Sequence, residues 1–147
     1  MSQIFYLLET NSDLTVGFDG SLRWTTDGKE WQTSTTPEGL IDLTLNPISP
    51  TLLATAQAGV IATADQGESW TTLSAAPKLV LIDWADDTKV VGIDEGGAIH
   101  VSRDRGATWD EESNLTGPVQ AMAAGLTPQG QVEVILVGET DIVIQEL

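Results

Sequence analysis

The chain has 147 residues, no cysteine, and 22 acidic against 6 basic side chains, for a formal net charge of −16. The missing thiols exclude disulfides and thiolate metal sites, and so acidic a surface repels phosphate backbones and anionic bilayers, so neither nucleic acid nor membrane insertion is expected. The runs "LVLI" and "VILV" fall far short of a membrane span, and "MSQIFYLLETNSD" has no signal-peptide character, so the chain as written is expected to be soluble and cytoplasmic, or exported if it belongs to a longer protein.

In chain order the elements repeat. "IFYLLE" (4–9) reads as a strand, and "LTVGFDGSLRWTTDGKEW" (14–31) as a strand, a glycine turn, a second strand and a polar turn. "LIDLTL" (40–45) then precedes "LLATAQAGVIATADQGESW" (52–70), and "LVLIDW" (79–84) precedes "VVGIDEGGAIHVSRDRGATW" (90–109). The last unit is "VQAMAAGL" (119–126), "VEVILVGE" (132–139) and "DIVIQEL" (141–147). Short β-rich runs separated by Gly, Asn, Asp and Pro predict an all-β fold, and no stretch keeps a capped helical period. Trp70 and Trp109 lie 39 residues apart, and Trp31 lies another 39 back. Four strands in a repeat of about 40 residues is the pattern of a propeller blade. A single β-propeller domain over 1–147 is therefore expected, with antiparallel blades at about 3–36, 39–75, 78–114 and 118–147. The last blade lacks its outer strand.

Each tryptophan ends a polar octet. "TADQGESW" (63–70) and "SRDRGATW" (102–109) agree position for position, and the first copy, "TTDGKEW" (25–31), is one residue shorter. The aspartate can accept backbone N–H groups of its own turn, and the glycine supplies a positive φ. The hydroxyl can tie strand ends together, and the tryptophan can bury a large ring between blades. The octet thus reads as the turn closing the third and fourth strands, carried by Thr25, Asp27, Gly28 and Trp31, by Thr63, Asp65, Gly67 and Trp70, and by Ser102, Asp104, Gly106 and Trp109.

Ser/Thr-x-Asp-x-Gly-x-Thr/Ser-Trp is the Asp-box, and the chain resembles Asp-box (BNR-repeat) β-propellers, most of all the C-terminal half of bacterial BNR-repeat, glycosyl-hydrolase-like propellers. Sialidases, sortilin-type receptors and photosystem II assembly propellers share the box. The resemblance implies that the box is structural and lies on the blade periphery, away from the ligand face. The propellers it resembles are roughly twice this length.

The residues argue against a sialidase. That chemistry needs an arginine triad and a tyrosine nucleophile. This chain has only Arg23, Arg103 and Arg105, the last two inside an octet, and its one tyrosine, Tyr6, lies in the first strand. Acids on innermost strands are the candidates for an axial site: Asp42 and Asp83, with Trp84 and Gln120 as further ligand-face candidates. His100 is the only histidine and reads as a half-exposed strand residue, "DEGG" (94–97) as a hairpin turn and "DWADD" (83–87) as a solvated turn. No catalytic residue, metal site or cofactor is expected. Three and three-quarter blades allow a small four-bladed ring, two copies paired into a ring of about eight, or half of a longer propeller. Self-association, as a homodimer or otherwise, is the favoured expectation. The expected function is a non-catalytic binding or assembly module for a protein or carbohydrate ligand. The alternative is a carbohydrate-active enzyme with an axial carboxylate pair.

Overall fold

A computed structural model of the protein describes residues 4–114 and 118–147. Among the described residues every regular element is a strand, so none is a helix able to cross a membrane. The first sheet holds β1 (Leu7–Thr10), β2 (Thr15–Phe18), β3 (Leu22–Thr25) and β4 (Gln32–Ser34). The second holds β5 (Asp42–Leu45), β6 (Leu52–Ala56), β7 (Gly59–Thr63) and β8 (Thr71–Thr72). The third holds β9 (Leu79–Trp84), β10 (Val90–Asp94), β11 (Ala98–Ser102) and β12 (Asp110–Asn114). The fourth holds β13 (Ala121–Leu126), β14 (Val132–Val137) and β15 (Ile142–Glu146). Each is an antiparallel meander, and the first strands stand side by side in the order β1, β5, β9, β13. These are four blades of a β-propeller, and the fourth has three strands, as the repeat predicts.

Three core clusters hold the blades together, one at each junction. Val16, Leu22 and Trp24 of blade 1 meet Leu43, Leu52 and Ile61 of blade 2. Leu53 and Val60 of blade 2 meet Leu79, Ile82, Trp84 and Val90 of blade 3. Val91, Ile93, Ile99 and Val101 of blade 3 meet Val132, Val134 and Leu136 of blade 4. Successive residues of a strand face opposite sides, which is why Val91 and Val90 serve different junctions. No cluster among the described residues joins blade 4 to blade 1.

The run at 4–9 does not pair throughout. The first blade was expected to begin at residue 3, which lies outside the described residues, and β1 pairs only from Leu7. Phe5 instead turns onto Gly17, where an added Cβ would sit 2.5 Å from its ring. Its ring centroid lies 5.1 Å from that of Trp31. An aromatic that finds a flat glycine and a second ring gains more by covering them than by extending an edge strand.

Candidate functional site

The innermost strands carry three partly buried carboxylates, and each reaches to the following blade. Glu9 Oε1 accepts the Leu45 N–H at 3.2 Å, Asp42 Oδ2 the Ile82 N–H at 3.0 Å, and Asp83 Oδ2 the Ala124 N–H at 2.8 Å. Asp42 also accepts the Leu43 N–H, and Thr44 Oγ1 donates to Asp83 Oδ1 at 3.0 Å while accepting the Trp84 N–H. Burial raises all three acids above their usual range, and it pushes Asp42 up to about 6 against its two N–H donors, with the charges of Asp83 and Glu9 adding to the rise. The acids therefore lie within one another's field and act as clasps between blades. The described β13, "AMAAGL", has no carboxylate, so the series stops at blade 4.

Asp42 and Asp83 thus lie on the inner strands where they were sought. Gln120 is exposed just before β13, and its N–H donates to the Val137 carbonyl. Trp84 is different. It is buried in the junction of blades 2 and 3, and its indole N–H donates to the Thr44 carbonyl at 3.2 Å, so its ring offers no platform to a ligand. Position 84 ends an inner strand, but its alternation turns the side chain into the junction. Glu9 was missed, because it lies 33 residues before Asp42 whereas Asp42 and Asp83 lie 41 apart, so the three acids share no single spacing.

The octets form one turn three times over. In blade 2, Thr63 Oγ1 donates to Asp65 Oδ1 at 2.7 Å and accepts the Gly67 N–H at 3.0 Å, and Asp65 accepts both the N–H and the hydroxyl of Ser69. Blade 3 repeats this with Ser102, Asp104, Gly106 and Thr108. These bonds, led by the Ser69 and Thr108 hydroxyls, hold Asp65 and Asp104 down at about 2. In blade 1, Thr25 and Asp27 keep the pattern, Gly28 donates its N–H to the Thr25 hydroxyl at 2.9 Å, and the Lys29 and Glu30 N–H groups replace the lost hydroxyl. Gly67 has φ +80°, and an added Cβ would meet Ser34 Oγ at 2.5 Å, so the turn rests directly on the outer strand of blade 1. Trp70 packs on the junction of blades 1 and 2 and Trp109 on that of blades 2 and 3, each half-buried. Trp31 takes Phe5 as its neighbour.

His100 is a correction. It is 9% exposed rather than half-exposed, and Nε2 lies 3.0 Å from Asp94 Oδ2. The arginines do not converge: Arg23 pairs with Asp19 at 3.1 Å, Arg103 with Glu112 at 2.8 Å, and Arg105 faces Asp87 at 4.0 Å. The turn at 83–87 is held by Asp86, whose carboxylate accepts the Thr88 and Lys89 N–H groups and pairs with the Lys89 ammonium.

Antiparallel blades arrayed on adjoining inner strands, with one closing turn repeated at each, define a β-propeller. No protein-family model and no curated protein matches the sequence. Solved propeller structures do match. YCF48 bound to D1 peptide aligns with a TM-score of 0.68 at 19% identity, over 97% of this chain and 49% of that one. Hydrazine synthase from Kuenenia stuttgartiensis aligns at 0.67 and 12% identity, over 97% of this chain and 46% of that one. A nidogen/laminin complex aligns at 0.57 and 12% identity, over 90% of this chain and 61% of that one. At these identities the likeness is one of fold. The chain spans about half the length of the first two.

Proposed function

We propose that the chain is a non-catalytic binding and assembly module of the Asp-box type, a half-ring that is completed by a second copy and holds a peptide or protein ligand. The observation that carries this reading is the pair of uncovered faces on the end blades. Cross-strand partners share a face, so Ile135 and Ile144 stand together on the far side of blade 4, beside Val137 and Ile142. Ile142 and Ile144 are 68% and 64% exposed. On the far side of blade 1, Leu8 is 55% exposed. That face of blade 1 also carries Arg23, in register across Gly17, so the apolar association surface is the open face of blade 4. A homodimer in which each first blade packs on the partner's fourth covers both faces and makes a ring of about eight blades, the upper end of the usual range. The closed octet turns and the blade-bridging acids support a scaffold role for the residues that a catalytic reading would recruit. The peptide held by YCF48 supports a peptide or protein as the ligand class. Light scattering at micromolar concentration is expected to give twice the chain mass, and Ile144→Glu to give one chain mass. A monodisperse single-chain species that binds no apolar dye contradicts the dimer.

One observation favours a second reading. Asp42, pushed up to about 6 and within the field of Asp83, resembles the acid of a two-carboxylate glycosidase. Assay of fluorogenic glycosides, sialosides included, is expected to give no turnover. Turnover lost in Asp42→Asn, with the fold intact, replaces the binding module by the enzyme.

A further inference from the structure

We propose that Asp94, His100 and Glu111 of blade 3 form a binding site for one divalent transition-metal ion of the zinc class. The site does not depend on the assembly proposed above. One donor atom from each residue lies within 4.8 Å of the other two. The topology makes this cluster: His100 and Glu111 are register partners on β11 and β12, and Asp94 ends β10 at the hairpin that leads into β11. All three therefore come to one corner of a single sheet.

Three features separate this cluster from an ordinary ion pair. The first is its departure from the repeat. At the same register positions of blade 2, Asp94, His100 and Glu111 correspond to Ala56, Ile61 and Thr72. The blade thus forms without any ligating group at these positions, and Ile61 packs there as a core residue. A buried imidazole with a carboxylate on either side is not required by the architecture.

The second feature is support from the surrounding backbone. Asp94 Oδ1 accepts the N–H groups of Gly96 at 2.9 Å and Ala98 at 3.0 Å, which leaves Oδ2 directed at His100. Carboxylates that bind metals are commonly held this way through the oxygen that does not ligate. The third feature is spacing. Donors on one ion with bonds of about 2.0–2.1 Å stand about 3.0–3.4 Å apart. Asp94 Oδ2 and His100 Nε2 already stand 3.0 Å apart. Glu111 is exposed, so its side chain is free to rotate inward and close the set.

Imidazole with two carboxylates suits a first-row transition ion better than calcium, which takes six to eight oxygens. The ion takes the lone pair of Nε2, so the imidazole carries its proton on Nδ1, and the Asp94–His100 hydrogen bond gives way to two metal bonds. Three protein ligands leave at least one position for water.

The test is zinc titration of the chelator-treated protein by calorimetry, beside His100→Gln and Glu111→Gln. The expected result is one Zn²⁺ per chain, with affinity at least tenfold weaker in each variant and a zinc-dependent shift of the His100 ring nitrogen resonances in the wild type. Glu111 is exposed, so its variant tests the site even if His100→Gln disturbs the blade. Several weak sites of equal affinity in all three proteins, or an imidazole spectrum unchanged at saturating zinc, overturn the proposal. So does binding that Glu111→Gln leaves intact.

Discussion

Blades 2 and 3 bury both faces of their sheets, while blades 1 and 4 bury one each. The repeat is the same, so the difference lies in the neighbours. On β14, Val134 is fully buried against blade 3 while Ile135, the next residue, is 40% exposed on the other side. In an inner blade the equivalent alternation serves two junctions. The two open faces also differ from each other. Blade 1 covers part of its own, by laying Phe5 over Gly17 beside Trp31, whereas blade 4 leaves an isoleucine pair in register and uncovered. An open face is not a defect of local structure: the strands form regardless, and what is missing is only the surface they would bury.

Substitutions on the two kinds of face should separate this sharply. Trp24→Ala empties a fully buried ring from the junction of blades 1 and 2 and is expected to cost about 3–5 kcal/mol, the usual range for deleting a buried Trp. Chemical denaturation measures it. Ile144→Ala on the open face is expected to cost under about 0.5 kcal/mol in the separated chain while weakening association. Equal losses from the two would mean that blade 4 is not open.

A smaller effect is expected from Gly67→Ala, where a positive φ and the contact with Ser34 both oppose a side chain. The expected loss is about 1–3 kcal/mol, in the range for overpacking a tight contact. Gly59 has φ +108° but open space around it, so Gly59→Ala should lose less, and the difference between the two isolates the inter-blade contact.

The inner acids and the octet acids should titrate in opposite directions. Asp42, at about 6 in the folded state against about 3.9 unfolded, favours the fold when protonated. Its contribution is full below about pH 4 and is lost as pH rises through about 6, a swing of about 2–3 kcal/mol. Glu9 and Asp83 shift in the same direction. Asp65 and Asp104, held at about 2, stabilise above about pH 4 and lose that contribution as pH falls toward 2. Thermal melts should therefore peak between about pH 4 and 5, and Asp42→Asn should flatten the fall toward neutrality. A melting temperature that rises steadily from pH 4 to pH 8 contradicts the dominance of burial over the N–H bonds at Asp42. Asp65→Ala and Asp104→Ala should each lower the melting temperature without altering assembly, because their bonds close only within their own turns.

Much of this fold was legible in the sequence. The 39-residue spacing of the octets and the β-rich runs between them specify blades of four, four, four and three strands. The roles of Asp65 and Gly67 follow from turn chemistry, which is local. What was not legible depends on contacts between strands far apart in sequence. Trp84 looked available because it ends an inner strand, and only the packing of blade 2 against blade 3 turns it inward. His100 looked half-exposed because its burial comes from neighbouring strands. Its partners, Asp94 and Glu111, are 6 residues before it and 11 after it, and sheet register alone brings them together. Glu9 escaped notice because the inner clasp does not keep the period of the octets.

The central claim is that the open face of blade 4 pairs with the open face of blade 1 in a second copy. The chain has no cysteine, so single cysteines report on this without background. Leu8→Cys marks one face and Ile144→Cys the other. Mixing the two variants under oxidising conditions should give a covalent dimer carrying one of each, while each variant alone gives little. Efficient cross-linking of either variant to itself, or none in the mixture at concentrations where the wild type has twice the chain mass, would contradict the pairing of first blade with fourth.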